Sequence, residues 1–512
     1  MEQKKNKKEL GGFLKAVERI GNKLPHPAMI FVILAAIVVV VSHFVAKYGE
    51  PVTYFDARAG EEVTKSAVSL MNAEGVRYMF TSAVKNFTGF APLGTVLVGM
   101  LGVGLADYSG LFDTSLRKLL SNVNPNILTA LVVFAGIMSN IASDAGYVIV
   151  VPLGAIIFLN AGRHPMAGMA AAFAGVSGGF SANLLLGTTD PLLTDITNAA
   201  LVSGGIDMHL APTCNYWFMA ASTILLTIVG TLVTEFIVEK NLGEYTGEYK
   251  ASQEEVTAIE NKALRNAGIS ILIFIAIMAF MMVPKNGILR TLQEDINQYT
   301  LKEFISKGLI PAMMLAFMIP GIVYGKTVGK INDSHDLVKG MTVAMKSMGG
   351  YLVLAFFASQ FVAYFGKSNL GILLSYKGAE FLESIKLTGL PLIIIFILVS
   401  AFLNLFMGSA SAKWAIMAPI FVPMMYQLGL SPALTQAAYR IGDSTTNIIT
   451  PLMSYFAMIV VFFQKYDEDA GLGTVISIMI PYTLFFLVGW IALMAVFVLA
   501  GIPVGIGAPL FV

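Results

Sequence analysis

The chain has 512 residues, 56% of them hydrophobic and 13% charged, and its formal net charge is +1. Because soluble domains carry about 25% charged residues, this composition excludes a soluble globular protein and indicates an all-α polytopic membrane protein. The near-neutral charge argues against a nucleic-acid partner, and the single cysteine, Cys214, excludes an internal disulfide and a cysteine-based zinc site.

The N-terminal segment, residues 1–27, is basic, and the positive-inside rule therefore places it in the cytoplasm. Apolar side chains share one helical face between residues 12 and 21, which predicts a short helix in the membrane interface. The apolar run at 28–45 is long enough to cross the bilayer and lacks a small-residue cleavage site. We therefore expect a retained first transmembrane helix rather than a signal peptide.

Two transmembrane halves are predicted at 28–237 and 267–512, separated by a hydrophilic cytoplasmic linker at 238–266. In the first half, the segment 86–110 is rich in glycine and follows a polar, external loop. A re-entrant hairpin and an ordinary spanning helix with packing glycines both explain this segment, and both remain open. Segment 348–371 has the corresponding place in the second half, which predicts a second hairpin there.

A weak internal repeat relates the two halves. Pro152 and Pro165 are 13 residues apart, as are Pro419 and Pro432, and the two pairs align at a constant offset of 267 positions. Chance is the alternative explanation, because proline and glycine are common in membrane helices. Paired, proline- and glycine-interrupted segments in two halves indicate the binding site of a secondary transporter.

The stretch 404–451 carries the most informative polar residues. It is mostly apolar, yet it contains Lys413, Arg440 and Asp443. A charged side chain at bilayer depth costs about 2.5–3.5 kcal/mol even on lenient insertion scales. Three such charges in one apolar stretch predict a pathway for a polar solute.

Asp443 is the strongest single candidate, and two interpretations of it remain open. Arg440 precedes it by three residues and Asn447 follows it by four, so the three share one helical face. In the first interpretation Asp443 carries a coupling cation, either a proton or Na⁺. Oxygen ligands for Na⁺, a hard ion, would then come from Asn404, Ser411, Asp443 and Asn447. In the second interpretation Arg440 and Asp443 form a structural ion pair that neutralises itself in the membrane.

Three further candidates each have a structural alternative. Asp190 would line the transport path or cap a helix. Lys413 would attract an anionic substrate or extend to the membrane interface. Trp414 would stack on an aromatic substrate or anchor the chain at the interface.

Three further candidates lie in the first half of the chain. They are Asn140, Asp144 and Asn183, which stand in mostly apolar surroundings. They would line the same path, although Asp144 at a membrane edge is an equal alternative. Arg163 falls in a predicted short loop between helices, where we expect a solvated charge.

Nucleotide hydrolysis is not indicated by any motif. The glycine-containing stretch 321–327 has three spacer residues where a phosphate-binding loop needs four. We therefore expect energy from an ion gradient, no cofactor and no enzymatic activity. An ion channel lined by the same polar residues is the alternative from another functional class.

Several motifs resemble the p-aminobenzoyl-glutamate transporter (AbgT) family, and they cover the chain from about Val17 to Gly505. They are VERIGNKLPHP, NFTGFAPLG, GRHPMAG, SANLLLGTTDPLL, VPKNGILR, SASAKWAIMAPIFVPM and YRIGDSTTN. The resemblance implies a homodimer in the bacterial inner membrane. Each subunit would have about nine transmembrane helices and two re-entrant hairpins, arranged as an inverted-repeat core with a scaffold domain.

The same resemblance implies a function and a set of residues. Family members import p-aminobenzoyl-glutamate, and others export p-aminobenzoate and sulfonamide antimetabolites. The family's sodium site matches Asn404 and Asp443. Its functional residues match Asp190, Trp414, Pro432, Arg440 and Asp443. With the charges discussed above, we expect a cation-coupled secondary transporter of an aromatic anion.

Overall fold

A computed structural model of the chain describes residues 25, 27–56, 61–119, 127–142, 145–247, 256–293, 298–301, 303–453 and 455–512. The interfacial helix expected at 12–21 and the candidate Asp144 lie outside these residues. Within them, seven helices are long and apolar enough to cross a bilayer, or eight if one bent pair forms a single span. Two more apolar helices, at 128–141 and 146–160, are shorter than a straight bilayer span requires. The all-α membrane architecture expected from composition is confirmed.

The helices of the first half follow its apolar runs. They are α1 (Pro27–Tyr48), α2 (Ala73–Thr88), α3 (Ala91–Ser109), α4 (Leu111–Leu119), α5 (Leu128–Met138), α6 (Ala145–Asn160), α7 (Pro165–Phe173), α8 (Thr189–Ser203), α9 (Tyr216–Val233) and α10 (Glu239–Leu242). A 3₁₀ turn, Ser139–Ala142, follows α5, and π turns follow α7 (Ala174–Gly178) and α9 (Thr234–Val238).

The helices of the second half also follow its apolar runs. They are α11 (Ala258–Met282), α12 (Leu309–Val328), α13 (Ser334–Ser347), α14 (Gly349–Lys367), α15 (Leu370–Ser384), α16 (Gly389–Asn404), α17 (Ala410–Gln427), α18 (Pro432–Thr446), α19 (Phe456–Gln464) and α20 (Leu472–Ala500). A π turn, Phe304–Gly308, precedes α12.

Two antiparallel hairpins supply the β-structure of the described residues. β1 (Val52–Asp56) pairs with β2 (Glu61–Lys65), and β3 (Thr291–Gln293) pairs with β4 (Gln298–Thr300). Both hairpins fall in polar segments that separate apolar runs, so they connect helices and do not enter the helical core.

Continuous helices stand where the sequence suggested re-entrant hairpins. Helix α14 is unbroken through 349–367, which corrects the hairpin predicted at 348–371. Helix α3 is unbroken through 91–109, and a Cβ atom on Gly102 would lie 2.1 Å from the carbonyl oxygen of Met314 in α12. The packing-glycine alternative therefore explains segment 86–110. In the second half, the sharp bend lies instead between α15 and α16, at 118°.

The boundary of the linker and the state of Arg163 also differ from expectation. Helix α11 begins at Ala258 behind a capping box of Thr257 and Glu260, so residues 258–266 belong to a helix rather than to the linker. The Arg163 guanidinium donates to both carboxylate oxygens of Glu239, at 2.9 and 2.5 Å. The solvated loop charge expected for Arg163 is therefore wrong.

Packing divides the described helices into two groups. One large hydrophobic core is formed mainly by α1, α5–α9 and α14–α20. Helices α3, α11, α12 and α13 pack on one another, and Ala263, Ala267 and Tyr324 form a separate small cluster between α11 and α12. The assignment of these groups to a transport core and a scaffold stays a prediction.

The predicted repeat is visible in equivalent elements. Pro165 and Pro432 are each the first residue of a helix, where the missing N–H and fixed φ of proline are favourable. A Cβ atom on Gly175, which follows α7, would lie 2.3 Å from a carbonyl oxygen of α5. One on Gly442, in α18, would lie 2.5 Å from a carbonyl oxygen of α16. The same close helix contact therefore occurs once in each half.

Candidate functional site

Five polar side chains meet inside the large core, and each is at most 4% exposed. We call this set the polar core: Asp190, Asn404, Lys413, Arg440 and Asp443. They come from the start of α8, the end of α16, the first turn of α17 and the second half of α18. The polar core therefore joins the first half of the chain to the second.

Arg440 and Asp190 form the first ion pair of the polar core. Nη1 of Arg440 lies 2.7 Å from Oδ1 of Asp190. The other carboxylate oxygen of Asp190 accepts a hydrogen bond of 2.7 Å from the backbone N–H of Gly187, just before α8. Asp190 thus occupies the first turn of its helix, where the helix dipole stabilises a negative charge, and also pairs with α18.

Lys413 and Asp443 form the second ion pair. Nζ of Lys413 lies 2.6 Å from Oδ1 of Asp443 and also donates to Oδ1 of Asn404. The Tyr439 hydroxyl lies 3.3 Å from the same Asp443 oxygen and donates to the carbonyl of Ala410 at 2.6 Å. Lys413 is therefore held between α16 and α18.

Asn404 ends α16 and fixes that helix against the end of α18. Its Nδ2 lies 2.6 Å from the carbonyl oxygen of Asp443, 2.9 Å from Oγ1 of Thr446 and 2.8 Å from Oδ1 of Asn447. Because these acceptors surround the amide nitrogen, the amide oxygen is left to accept from Lys413.

These contacts correct two alternatives drawn from the sequence. The Arg440–Asp443 ion pair is wrong, because Arg440 pairs with Asp190 and Asp443 pairs with Lys413. Extension of Lys413 to the membrane interface is also wrong, because the residue is 2% exposed and its ammonium is bonded inside the core. Residues three apart in α18 share a face but find their partners on other helices.

Trp414 is completely buried and so is not an interfacial anchor. Its ring stacks on Tyr439 with centroids 4.4 Å apart, and its Nε1–H donates to Oγ1 of Thr197 at 2.9 Å. This bond joins α17 to α8 next to the polar core. In this conformation the Tyr439 ring covers one face of the indole.

The remaining candidates lie around the polar core with different partners. Asn140 and Asn183 both donate to the carbonyl of Ile137, at 3.1 and 3.3 Å, and so stabilise the break after α5. Pro432 begins α18 directly after its N-cap Ser431, whose hydroxyl accepts from Leu434 N–H at 3.1 Å. Ser411 lines a gap with Phe31, Phe90 and Tyr351, whereas Asn404 and Asp443 do not line that gap.

Gln436 and Asn215 were not identified from the sequence. Gln436 accepts from Thr197 Oγ1 at 2.6 Å and donates to Asn215 Oδ1 at 2.9 Å, so it links α18 to α8 and to the start of α9. Gln436 precedes Arg440 by four residues, and the residues 436, 440, 443 and 447 form one polar stripe at helical spacing. That stripe was the signal that could have revealed Gln436.

Several buried polar atoms around the site have no hydrogen-bond partner in the described part of the chain. They are Nε of Arg440, Oδ2 of Asp443, Oγ of Ser181, Oγ of Ser444 and Oδ1 of Asn140. Unpaired buried polar atoms are costly, and native proteins satisfy most of them. These atoms are therefore available for further hydrogen bonds.

A gap beside Arg440 combines polar and aromatic groups. Ser181, Asn215 and Arg440 line it together with Phe218 and Trp490. Its cavity volume is close to 0 Å³, whereas a small-molecule site has roughly 300–1,000 Å³. The gap is therefore closed in this conformation, and binding of an aromatic anion there would require the surrounding helices to separate.

Comparison with known proteins gives one consistent family. The model of the AbgT putative transporter family matches residues 12–512. The p-aminobenzoyl-glutamate transport protein of Escherichia coli (strain K12) is 40% identical over 492 residues, which are 96% of this chain and 95% of that protein.

Two solved structures share the fold. The YdaH transporter of Alcanivorax borkumensis is 42% identical with a TM-score of 0.86, and the match covers 94% of this chain and all of that one. MtrF of Neisseria gonorrhoeae, from a class of antimetabolite efflux pumps, is 46% identical with a TM-score of 0.89 and covers 97% of this chain and all of that one.

Proposed function

The chain belongs to the AbgT putative transporter family, and from this membership we propose that it is a cation-coupled secondary transporter of p-aminobenzoyl-glutamate or a related aromatic anion. The observation that carries the proposal is the buried Arg440, whose Nε is unpartnered at a gap lined by Phe218 and Trp490. A guanidinium next to aromatic side chains is suited to a ligand with a carboxylate and an aromatic ring.

Arg440 can exchange Asp190 for a substrate carboxylate during transport. A substrate carboxylate can form two parallel hydrogen bonds with the guanidinium and so compete with Asp190. Asp190 retains its bond from Gly187 N–H, so its charge remains partly compensated while Arg440 binds substrate. Trp414 and Pro432 support this end of the polar core by joining α17 to α8 and by starting α18.

We assign binding of the coupling ion to Asn404 and Asp443, at the end of the polar core away from Asp190. Na⁺ and H⁺ are the two candidate ions, and in either case α16, α17 and α18 would change their mutual contacts when the ion binds. Alternating access would then move the repeat-related helices relative to the group formed by α3, α11, α12 and α13.

The cellular arrangement belongs to the same proposal. We place the protein in the bacterial inner membrane as a multi-pass homodimer with a cytoplasmic N-terminus. The basic residues of segment 1–27 support this orientation. No cofactor other than the coupling ion is needed.

Efflux is the second candidate function, and the similarity to MtrF favours it. The chain is 46% identical to MtrF, from a class of antimetabolite efflux pumps, and 40% identical to the p-aminobenzoyl-glutamate transport protein of E. coli, whose name states no direction. In this alternative a proton gradient would drive export of p-aminobenzoate and sulfonamides.

Uptake by proteoliposomes tests the proposal directly. Labelled p-aminobenzoyl-glutamate would be supplied under a Na⁺ gradient and, separately, under a proton gradient, with Asp443→Asn as the control. Accumulation that the variant abolishes supports the importer, and the effective gradient identifies the ion. Absence of accumulation, with p-aminobenzoate or a sulfonamide moving against a proton gradient, would replace the importer with the efflux pump.

A further inference from the structure

Lys413 places a positive charge at the point where the family's sodium site was expected. Its Nζ donates to Oδ1 of Asn404 and lies 2.6 Å from Oδ1 of Asp443. Both oxygens were candidate Na⁺ ligands, and both belong to residues that are at most 1% exposed. The ammonium therefore occupies the position between them.

The surrounding hydrogen bonds direct these two oxygens toward one cation. Nδ2 of Asn404 is committed to acceptors at the end of α18, which turns the amide oxygen toward Lys413. The buried Asp443 carboxylate requires a compensating positive charge, since an unpaired ion inside a protein is strongly unfavourable. Lys413 supplies this charge, so no bound ion is needed to compensate Asp443.

A free Na⁺ does not fit beside the ammonium. Na⁺ needs several oxygen ligands in direct contact, whereas Lys413 already uses the oxygens of Asn404 and Asp443. Ser411, the third candidate ligand, lines a different gap with Phe31 and Phe90. Two like charges at contact distance in a buried site would also repel strongly.

We infer that Lys413 is a resident cation that takes the place of Na⁺ between Asn404 and Asp443, so that this chain transports its substrate without Na⁺. The inference rests on the proposed function for its role in transport, but occupancy of the site can be measured without any transport assay. It predicts that removing the lysine side chain converts the site into one that binds Na⁺.

Thermal unfolding of the purified full-length protein tests occupancy. The wild type, Lys413→Met and the double variant Lys413→Met/Asp443→Asn would be compared in NaCl and in choline chloride at equal ionic strength. Lys377→Met is the matched control, because Lys377 is an exposed lysine whose ion pairs with Glu50 and Glu380 lie outside the polar core.

A ligand that binds the folded state raises the unfolding midpoint, so Na⁺ binding appears as a shift between the two salts. We expect no shift for the wild type, for Lys377→Met or for the double variant. For Lys413→Met we expect the unfolding midpoint to be higher in NaCl than in choline chloride. Recovery of folded Lys413→Met from NaCl but not from choline chloride would be the same result in a stronger form.

Three outcomes would overturn the inference. One is a Na⁺-specific shift in the wild type, which needs no variant to fold. The second is folded Lys413→Met that responds equally to both salts. The third is a Na⁺ shift of equal size in the double variant, which would place the ion elsewhere.

Uptake measurements distinguish a failure of this inference from a failure of the proposed function. If wild-type uptake of p-aminobenzoyl-glutamate is unchanged when choline replaces Na⁺ on both sides, both proposals are supported. Uptake that requires Na⁺ would retain the transporter and reject the resident cation. No transport of any tested aromatic anion would reject the proposed function, while the unfolding data would still decide occupancy.

Discussion

Arg440 and Asp190 depend on each other because both are buried, at 4% and 3% exposure. Arg440→Gln leaves the Asp190 carboxylate unpaired, which is expected to destabilise the fold by about 3–5 kcal/mol. The double variant Arg440→Gln/Asp190→Asn should recover most of that loss, because neither charge remains. Thermal unfolding in detergent measures the stability.

Transport should respond differently from stability in the same pair of variants. If Arg440 binds the substrate carboxylate, the double variant stays inactive although it is folded. Recovery of transport together with stability would show that the ion pair is only structural.

Trp414 contributes through a hydrogen bond as well as through its ring. Trp414→Phe keeps an aromatic side chain but removes the Nε1–H that donates to Thr197. We expect a loss of about 1–3 kcal/mol in the free energy of unfolding. Trp217→Phe is the control, because Trp217 is 47% exposed and should change stability by no more than about 0.5 kcal/mol. Equal effects of the two substitutions would contradict the role assigned to Trp414.

At the level of single residues, the sequence identified the charges but not their partners. Lys413, Arg440 and Asp443 were conspicuous because charges in an apolar stretch are costly. The spacing within α18 suggested an Arg440–Asp443 pair. The true partners could not be predicted because they depend on how α8 and α17 pack against α18.

Helix α18 approaches α16 closely at Gly442. A Cβ atom there would lie 2.5 Å from both the Ile397 carbonyl oxygen and the Cβ of Ser400. Gly442→Ala should therefore push the helices apart and cost about 1–3 kcal/mol of stability. Because Asp443 is the next residue, transport should also decrease.

Gly489 provides the control for this substitution. It lies within α20, and the nearest atom to an added Cβ would be 3.7 Å away, which is ordinary contact. Gly489→Ala should leave both the unfolding midpoint and uptake close to wild type. A fully stable and active Gly442→Ala would show that the α16–α18 contact is looser than the structure indicates.

Most helices could be predicted from the sequence, because apolar runs of bilayer length are strong signals. The run at 28–45, for example, corresponds to α1. Interruptions within the helices were harder to predict. Glycine in segment 86–110 was equally consistent with a hairpin and with close packing, and contacts such as Gly102 with Met314 are visible only in the tertiary structure.

The whole molecule brings its two halves together at the polar core. Gly175 and Gly442, which align at the offset of 267 positions, make the same kind of contact in each half. Nδ2 of Asn447 lies 3.5 Å from the carbonyl oxygen of Ser177, in the π turn after α7. The sequence predicted the repeat from its prolines, whereas the meeting of its two breaks follows from packing.

Helix α11, in the group formed by α3, α11, α12 and α13, exposes large apolar side chains. In helix α11, Leu272, Ile273 and Phe280 are more than half exposed. Lipid or a second subunit would cover such a surface in a membrane. This arrangement is consistent with a transport core carried by a membrane-embedded scaffold.

The most direct test of the account is substrate counterflow in proteoliposomes that contain the wild-type protein. Vesicles loaded with unlabelled p-aminobenzoyl-glutamate and diluted into a trace of labelled compound should accumulate label transiently. Counterflow requires a binding site that opens alternately to both sides, so it should saturate with substrate and be abolished in Arg440→Gln/Asp190→Asn. Flux that rises without saturation would indicate a channel, and labelling no greater than in protein-free vesicles would contradict transport of this substrate.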